Sequence, residues 1–528
     1  MEAFNRWLTV KSRLELAVSD FLSACTTLKA GALPPLESRY SQNTLEAVLD
    51  EVQSHISSID LAERHLQESR SILNTLLNLS TLRVTIHRLP PEIFGAIFII
   101  AADPPICYHS SPTAHNALAD IQLVCKRWHR IATNTPSLWS HIDVNLDRLS
   151  TAAKLPSFNR TRLWLDYSCG ARMHLHLVGK SRIPLDVVLE LVAVLQPRIA
   201  LLNSLDVTGA YTSHLVHELL KTYSNHGVSG TLNRLALSDI RVSREDNAVS
   251  WLDGSLSGLV ELDLNDLRGD NTLPLNELVT LLSSCSTLHT LRLEAVNIRG
   301  VFQLDYPVIS LPCLRLFEFG FFEHNYGVTQ LLSLLSPGVY PLDVRLHLHS
   351  VDSVYITDHI QPLLARSNVA RLTILDPLLA YDGRFKSFVS STPYLRALII
   401  YNAHVDIISV LEELLVPSDD SSQLLPQLHC LCLVSGDCDL TAMRSLERIV
   451  AARGLHSLIF LAFSFLSFDP DEANSDDEDD EDETRPQELP KVFRQRLSEH
   501  VEEIIVGSLP DRSQRSIGSL IEALINFD

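Results

Sequence analysis

In the first 80 residues, apolar side chains recur at every third or fourth position. Before residue 31 they are Phe4, Trp7, Leu14, Val18, Phe21, Cys25 and Leu28, and after the GALPP turn at residues 31–35 they are Leu45, Leu49, Val52, Ile56, Ile59, Leu66, Leu73 and Leu77. This spacing predicts two helices, each with an apolar seam, separated by the glycine and prolines of the turn. Because Lys11, Glu63 and Arg70 interrupt the seams, the pattern favours an intramolecular helical hairpin over residues 1–82. Dimerisation as a coiled coil is the open alternative.

A second apolar pattern, Leu-x-x-Leu-x-Leu or a close variant of it, recurs from about residue 200. Its central apolar residues lie 26–33 residues apart and are Leu205, Leu235, Leu262, Leu291, Phe317, Leu346, Leu372, Leu398, Leu431 and Leu458. A period of this size, with one short alternating strand in each unit, is the signature of a leucine-rich solenoid. Helix-like segments lie between the strands, so we predict an α/β solenoid over residues 160–468, in which stacked units bury one another's apolar faces.

The alternation within these strands predicts which side chains point away from the core. In a strand that reads Leu-x-Leu, the middle residue faces outward. The outward residues of the early repeats are polar, namely Asp263, Asn265, Arg292, Glu294 and Glu318, whereas those of the later repeats are Leu375, Ile399, Tyr401, Cys432, Val434, Ile459 and Leu461. A bare apolar strip of this length is unusual on a surface. We therefore expect it to meet either a partner or the C-terminal segment 487–528, and both alternatives stay open.

The outward face is also where we expect a target protein to bind, since repeat proteins use this extended surface for recognition. The candidate contacts are Arg292, Glu294, Glu318, His347, His349 and Tyr401. The C-terminal segment has Phe493, Leu497, Val501, Ile504 and Ile505 at helical spacing. This spacing predicts a helical segment over residues 487–528.

Charge is concentrated in one stretch of the chain. The net charge is −21, and DPDEANSDDEDDEDE at residues 469–483 contributes eleven acidic residues and no basic one. Such a block repels itself, so we expect a disordered acidic linker over residues 469–486, with a lure for a basic partner as the alternative. Nothing in the rest of the chain is basic enough to predict nucleic-acid binding.

Length, cysteine usage and hydropathy limit the class of protein further. A chain of 528 residues with 46% hydrophobic content has room for two to four structural units. The longest apolar stretch, IFGAIFIIAA at residues 93–102, has about half the length of a membrane-spanning helix, and no secretory signal pattern opens the sequence. Nine cysteines without regular spacing fit a reducing compartment. These features predict a cytoplasmic or nuclear protein without a membrane partner.

Two motifs between the N-terminal helices and the solenoid resemble an F-box. RLPPEIFGAIFIIA (residues 88–101) has prolines and a glutamate that suit a helix start, and LVCKRWHRIATNTPSLW (residues 123–139) is a short amphipathic segment that ends in Pro-x-Leu-Trp. The resemblance is to the variant common in fungal proteins that combine an F-box with leucine-rich repeats. It places an F-box-like domain at residues 86–145 and implies a fold of α and α/β class, in which a helical hairpin and F-box helices precede the solenoid.

The resemblance also implies a function. F-box residues dock on the Skp adaptor of a cullin-RING ubiquitin ligase, and the repeats hold the target that is marked for degradation. The positions that would form or support the adaptor surface are Leu89, Pro90, Ile93, Ile97, Leu123, Val124, Cys125 and Trp128. One departure is the insert at residues 102–117, which we interpret as a loop. The sequence therefore predicts a non-catalytic substrate receptor, and the alternative is a scaffold whose F-box-like helices only cap the solenoid.

Signals for enzymatic chemistry are weak. The sequence lacks GxGxxG, P-loop, HExxH and GxSxG motifs. Cys430 and Cys432, with Cys438 nearby, lack a fourth metal ligand at suitable spacing, and the pair His347 and His349 lacks a third. We expect no catalysis, no cofactor and no metal, and an enzyme with an unrecognised site is a distant alternative.

Overall fold

The computed structural model describes most of the chain in segments. These are residues 1–31, 42–79, 85–102, 112–150, 158–209, 211–226, 230–240, 256–267, 273–300, 306–321, 326–348, 353–375, 384–403, 408, 410–412, 415–416, 425–438, 440–453, 455–465, 495, 497, 501 and 503–508. The chain divides into two compact units, one made of residues 1–94 and 123–129 and the other of residues 95–122 and 130–528. The acidic tract 469–483 and His349 lie outside the described residues.

The helices follow the predicted apolar periods. They are α1 (Glu2–Gly31), α2 (Gln42–Leu79), α3 (Pro91–Ala101), α4 (Pro112–Val124), α5 (Lys126–Thr133), α6 (Asp147–Ser150), α7 (Asn159–Ser168), α8 (Leu185–Leu195), α9 (Ser213–Asn225), α10 (Leu275–Ser284), α11 (Tyr326–Leu334), α12 (Ser353–Ala365), α13 (Arg384–Ser390) and α14 (Leu440–Arg453). Short 3-10 turns at Thr85–Arg88, Pro136–Trp139 and Gln196–Leu201 join some of them. Helix α4 begins at Pro112, so the predicted loop over residues 102–117 is wrong at its end, because proline suits the first turn of a helix.

The strands alternate with the solenoid helices. They are β1 (His141–Asn145), β2 (Met173–Val178), β3 (Leu202–Thr208), β4 (Arg234–Ser238), β5 (Glu261–Asn265), β6 (Leu273–Pro274), β7 (Thr290–Glu294), β8 (Ile298–Arg299), β9 (Ile309–Leu311), β10 (Leu316–Phe321), β11 (Leu335–Pro337), β12 (Leu342–Leu348), β13 (Val369–Leu375), β14 (Ala397–Ala403), β15 (Cys430–Cys438), β16 (Ser457–Phe465) and β17 (Glu503–Ser508). Thirteen of them form one sheet, in the order β1-β2-β3-β4-β5-β7-β10-β12-β13-β14-β15-β16-β17. Two small sheets, β6 with β8 and β9 with β11, each join corresponding positions of neighbouring repeats.

In the first unit, α1 and α2 carry their predicted seams on exposed surfaces. The seam side chains are 36–54% exposed, and they are Phe4, Trp7, Leu14, Val18, Phe21, Val52, Ile56, Ile59, Leu66, Leu73 and Leu77. Side chains packed between two helices would lose most of that exposure. The hairpin predicted for residues 1–82 therefore does not bury this seam within one chain.

In the second unit, parallel strands pair in one register from β1 to β17. One inward residue per strand stands opposite its counterparts on the neighbouring strands, and these residues are Ile142, Leu175, Leu205, Leu235, Leu262, Leu291, Phe317, Val344, Leu372, Leu398, Leu431, Leu458 and Ile504. All of them except Ile504, whose side chain is not described, are at most 1% exposed. Full burial of each such side chain stabilises the fold by about 1.5–3 kcal/mol. This ladder confirms the leucine-rich α/β solenoid.

Three details of the predicted solenoid are wrong. The sheet begins at His141 rather than after residue 160. The repeat pattern did not reveal this start, because β1 and β2 lack the leading Leu-x-x-Leu of the later repeats. Val344, not Leu346, aligns with Phe317 and Leu372. At the end of the chain, residues 503–508 form a strand beside β16 instead of the predicted helix. The run Ile504-Ile505-Val506 is rich in β-branched side chains, which favour a strand over a helix.

Candidate protein-binding site

Buried aromatic contacts fix the start of α3 against α5 in the first unit. The ring of Phe94 is fully buried and meets the Trp128 ring edge-on, with 5.7 Å between the ring centroids. Arg127 places its guanidinium 5.5 Å from the centroid of the Phe94 ring and donates a hydrogen bond of 2.9 Å to the Leu89 carbonyl oxygen. These contacts hold the Leu-Pro-Pro start of the first motif beside the basic helix of the second.

Other apolar residues of the same two motifs face solvent. Ile93 is 48% exposed, Leu123 is 82% exposed and Val124 is 54% exposed. Pro90 is exposed as well, whereas Leu89, Cys125 and Trp128 are half-buried. The structure thus brings seven of the eight predicted adaptor residues into the first unit. Three large aliphatic side chains there keep about half or more of their surface exposed.

The eighth predicted adaptor residue, Ile97, belongs to the second unit and is 38% exposed. Also in the second unit, Trp139 is only 3% exposed and donates a hydrogen bond of 2.8 Å from Nε1 to the Ala132 carbonyl oxygen. Its ring packs edge-on against Trp164, with centroids 5.4 Å apart. The second tryptophan of the motif is therefore a core residue.

The outward face of the solenoid carries a ladder of charges over its first strands. One outward position per strand reads Asp143, His176, Asp206, Ala236, Asp263, Arg292, Glu318, Arg345, Thr373, Ile399, Cys432, Ile459 and Ile505 from β1 to β17. From β5 to β12 the charges alternate in sign, so Arg292 and Glu318 each face an opposite charge on both neighbouring strands, whereas Asp263 and Arg345 each face one. From β14 onward the same row is apolar.

Four of the predicted target contacts form one ion-pair network on this face. Arg292 Nε lies 3.0 Å from Glu318 Oε2, and His347 Nε2 lies 3.2 Å from Glu318 Oε1. Nδ1 of His347 lies 3.5 Å from Glu294 Oε1. Asp263 adds a longer contact, of 3.8 Å, to Arg292. The network joins residues from four strands that are up to 84 positions apart in the sequence.

Because the network is partly buried, the pKa values of its titratable side chains are strongly shifted. Burial alone would lower the pKa of His347, but hydrogen bonds and negative charge from Glu294 and Glu318 raise that pKa to about 9. Burial would raise the pKa of Glu318, yet the hydrogen bond and charge of His347, with Arg345 and Arg292, lower it to about 2. For Asp263, burial outweighs the charges of Arg292 and Arg234 and raises the pKa to about 6. Protonated His347 is therefore an integral cation of the network near neutral pH.

The remaining target candidates are not brought into this network. Tyr401 is only 9% exposed and packs with Ile399, Cys432, Val434 and Ile459 in an apolar cluster separate from the main core. The prediction that Tyr401 is an accessible contact is therefore wrong, because this part of the outward face is covered. The sequence-based candidates did not include Asp343 and Arg371, whose side chains form a further ion pair of 3.4 Å on this face. The alternation of inward and outward residues along β12 and β13 could have identified both.

Replacing His347 by glutamine is expected to lower the free energy of unfolding by about 2 kcal/mol at pH 6, the order that a hydrogen bond to a charged group contributes. Because the pKa in the folded state is raised from 6.5 to about 9, this contribution is complete below pH 6.5 and is lost as pH rises through 9. Urea unfolding at pH 6, 8 and 9.5 measures the difference. His359→Gln, an exposed histidine of α12, is the control, and a pH-independent effect at His347 would contradict the prediction.

The cysteines singled out for metal binding are buried rather than open to a ligand. Cys430 is 1% exposed and Cys432 is fully buried, and burial raises the pKa of the Cys432 thiol above its usual range. Across the described ranges, no group of three or more His, Cys, Asp or Glu side chains is placed to hold a metal ion. None of the described helices is both long enough and apolar enough to cross a membrane.

Comparison with known proteins finds one family model and a set of solved structures similar to parts of this chain. Residues 86–145 match the family model described as F-box-like. No curated protein matches the chain. Among solved structures, an internalin from Listeria monocytogenes is similar at 14% identity, over 66% of this chain and 88% of its own, with a TM-score of 0.29. A protein from Bacteroides fragilis is similar at 13% identity, over 58% of this chain and 66% of its own, just under two thirds, with a TM-score of 0.27.

Proposed function

We propose that this chain, whose residues 86–145 form an F-box-like domain followed by leucine-rich repeats, is a non-catalytic substrate receptor of an SCF-type cullin-RING ubiquitin ligase. The F-box-like domain binds the Skp adaptor, which links the chain to the cullin. The repeats bind a target protein and bring it close to the ubiquitin-loaded enzyme. The contribution of this chain to the reaction is proximity alone.

The observation that carries the proposal is the exposure of Ile93, Leu123 and Val124, which are 48%, 82% and 54% exposed. They adjoin residues locked in place by the contact of Phe94 with Trp128, so the patch is preorganised for docking. The adaptor surface that we propose consists of the seven predicted residues of the first unit, Leu89, Pro90, Ile93, Leu123, Val124, Cys125 and Trp128. A docking surface for an adaptor needs exposed aliphatic side chains, whereas the scaffold function gives no role to this patch, so the patch supports the receptor.

Target binding is proposed for the charged part of the outward face. Arg292, Glu294, Glu318 and His347 are 15–30% exposed at their side chains. Their charges are held at fixed positions by the neighbouring strands, so a complementary partner meets a rigid polar surface with little loss of side-chain entropy.

Mixing the full-length chain with a recombinant Skp adaptor tests the proposal. We expect one stable complex in size-exclusion chromatography and saturable binding in calorimetry, with an affinity stronger than micromolar. Circular dichroism of the same sample checks that the chain is folded. A folded chain that elutes separately from the adaptor at tens of micromolar would contradict the receptor function and favour the scaffold.

A further inference from the structure

A cavity of about 1020 Å³ opens on the outward face of the solenoid, at the edge where the strands begin. It extends from β10 to β16 and therefore borders both the last charged strands of the face and the strands of the buried apolar cluster. Its charged lining comprises Arg315, Asp343, Arg371, Arg396, His429 and His456. A neighbouring cavity of about 700 Å³ shares Arg396 with it and lengthens the opening.

The lining of the larger cavity is basic, although the whole chain carries a net charge of −21. Asp343 is the one carboxylate among the described lining residues, and it is already paired, with Arg345 at 3.5 Å and Arg371 at 3.4 Å. With both histidines neutral, the three arginines and the one aspartate give these lining residues a net charge of about +2. Low-dielectric walls concentrate such a potential and raise the local concentration of anions.

Two arginines of this cavity have exposed guanidinium groups that a ligand can reach. Arg315 is exposed and rests its guanidinium 5.4 Å from the centroid of the Tyr340 ring. Arg396 is exposed, and its guanidinium makes no ion pair with any residue that the structure describes. Each guanidinium can take a carboxylate through two parallel hydrogen bonds.

The basic residues lie in a row that the repeat itself generates. Arg315, Arg396, His429 and His456 each immediately precede a strand of the sheet. In the row, His429 N donates to Arg396 O at 2.9 Å and His456 N donates to His429 O at 2.9 Å. With neighbouring strands about 4.8 Å apart, the row from β10 to β16 is roughly 24 Å long. An extended peptide of about seven residues has that length.

We propose that this row and its cavity bind an extended, carboxylate-rich segment of a partner protein. A peptide fits better than a nucleic acid for two reasons. Among its described lining residues, the larger cavity has no phenylalanine, tyrosine or tryptophan on which bases could stack, and the net charge of −21 repels a long nucleic acid more strongly than a short acidic segment. The site is separate from the adaptor surface, so its test does not depend on ligase assembly.

The probe is a fluorescein-labelled octapeptide of alternating aspartate and glutamate, and its neutral counterpart contains asparagine and glutamine. Fluorescence anisotropy with the full-length chain is expected to show saturable binding of the acidic peptide at 50 mM salt and at least tenfold weaker binding of the neutral one. Raising salt to 300 mM is expected to weaken acidic-peptide binding severalfold. A chain without residues 469–483 is measured in parallel, since its own acidic tract competes for any basic site.

The variant R315A/R396A is expected to weaken acidic-peptide binding at least tenfold. Both side chains are exposed, so this variant is expected to keep the wild-type melting temperature. R148A/R444A, which removes two exposed arginines outside the cavity, is the matched control and should bind as wild type does. Unchanged binding by R315A/R396A, or no binding by either the full chain or the tract-deleted chain, would overturn the proposal. Tighter binding of an oligothymidine of equal charge would assign the cavity to nucleic acid instead.

Discussion

Replacing both Ile93 and Leu123 by aspartate is expected to weaken binding to the Skp adaptor at least about 100-fold. Truncating a central interface residue commonly costs about 2 kcal/mol or more, and every 1.4 kcal/mol is a factor of ten in affinity. Aspartate adds the cost of bringing an unpaired charge into an apolar contact. Calorimetric titration of the purified variant with the adaptor measures the loss.

The same substitution should leave the fold intact, because the two side chains are 48% and 82% exposed. Leu163→Asp is the matched control, since Leu163 is 47% exposed on α7, outside the F-box-like residues. It should bind the adaptor as wild type does. Trp128→Ala is a poorer test because it removes the ring that supports Phe94. Wild-type affinity in the Ile93 and Leu123 variant would rule out this patch as the adaptor surface.

Replacing Leu262 by alanine is expected to lower the free energy of unfolding by about 2–5 kcal/mol, as truncations of buried leucines do. Leu262 is the fully buried second residue of β5 and stacks between Leu235 and Leu291 of the neighbouring strands. The cavity left by the missing methyl groups cannot collapse easily between two fixed strands. Urea unfolding followed by circular dichroism gives the difference.

Leu189→Ala provides the comparison, because this leucine of α8 is 49% exposed. Its loss should change the free energy of unfolding by less than about 0.5 kcal/mol. Equal effects of the two leucine substitutions would contradict the strand register, in which the central residue of each repeat points into the core.

Much of the solenoid can be predicted from sequence because its stability depends on a repeated local rule. A large apolar residue, most often leucine, occupies the inward positions of each strand, so the period and the inward parity are visible directly in the sequence. The rule fails where tertiary context replaces it. β1 presents only Ile142 and Val144 to the core, and β17 follows a much longer connection than the other strands. Neither strand has the full repeat pattern, and both are identified by the neighbour with which they pair.

The two binding surfaces differ in how far the sequence predicts them. The motif identifies Ile93 and Leu123 as candidate contacts. Their exposure depends on the start of α3 and the end of α4, and helical spacing alone does not predict either position. The ion pairs of Arg292, Glu318 and His347 join residues of separate repeats, and they emerge only once the strand register is known. The prediction that Tyr401 contacts a target was wrong for a related reason. The alternation along a strand predicts the direction of a side chain but not whether other residues bury it.

The pairing of β17 with β16 changes how a break in the backbone would affect this molecule. The acidic residues 469–483 lie between these two strands in the sequence, and the strands pair over six positions from Ser457–Glu503 to Ala462–Ser508. A protease that cuts within the acidic stretch would therefore sever a connection inside the last repeat, not a tether between independent domains. The two fragments would stay associated through the sheet and separate only under denaturing conditions, as in a complemented split protein.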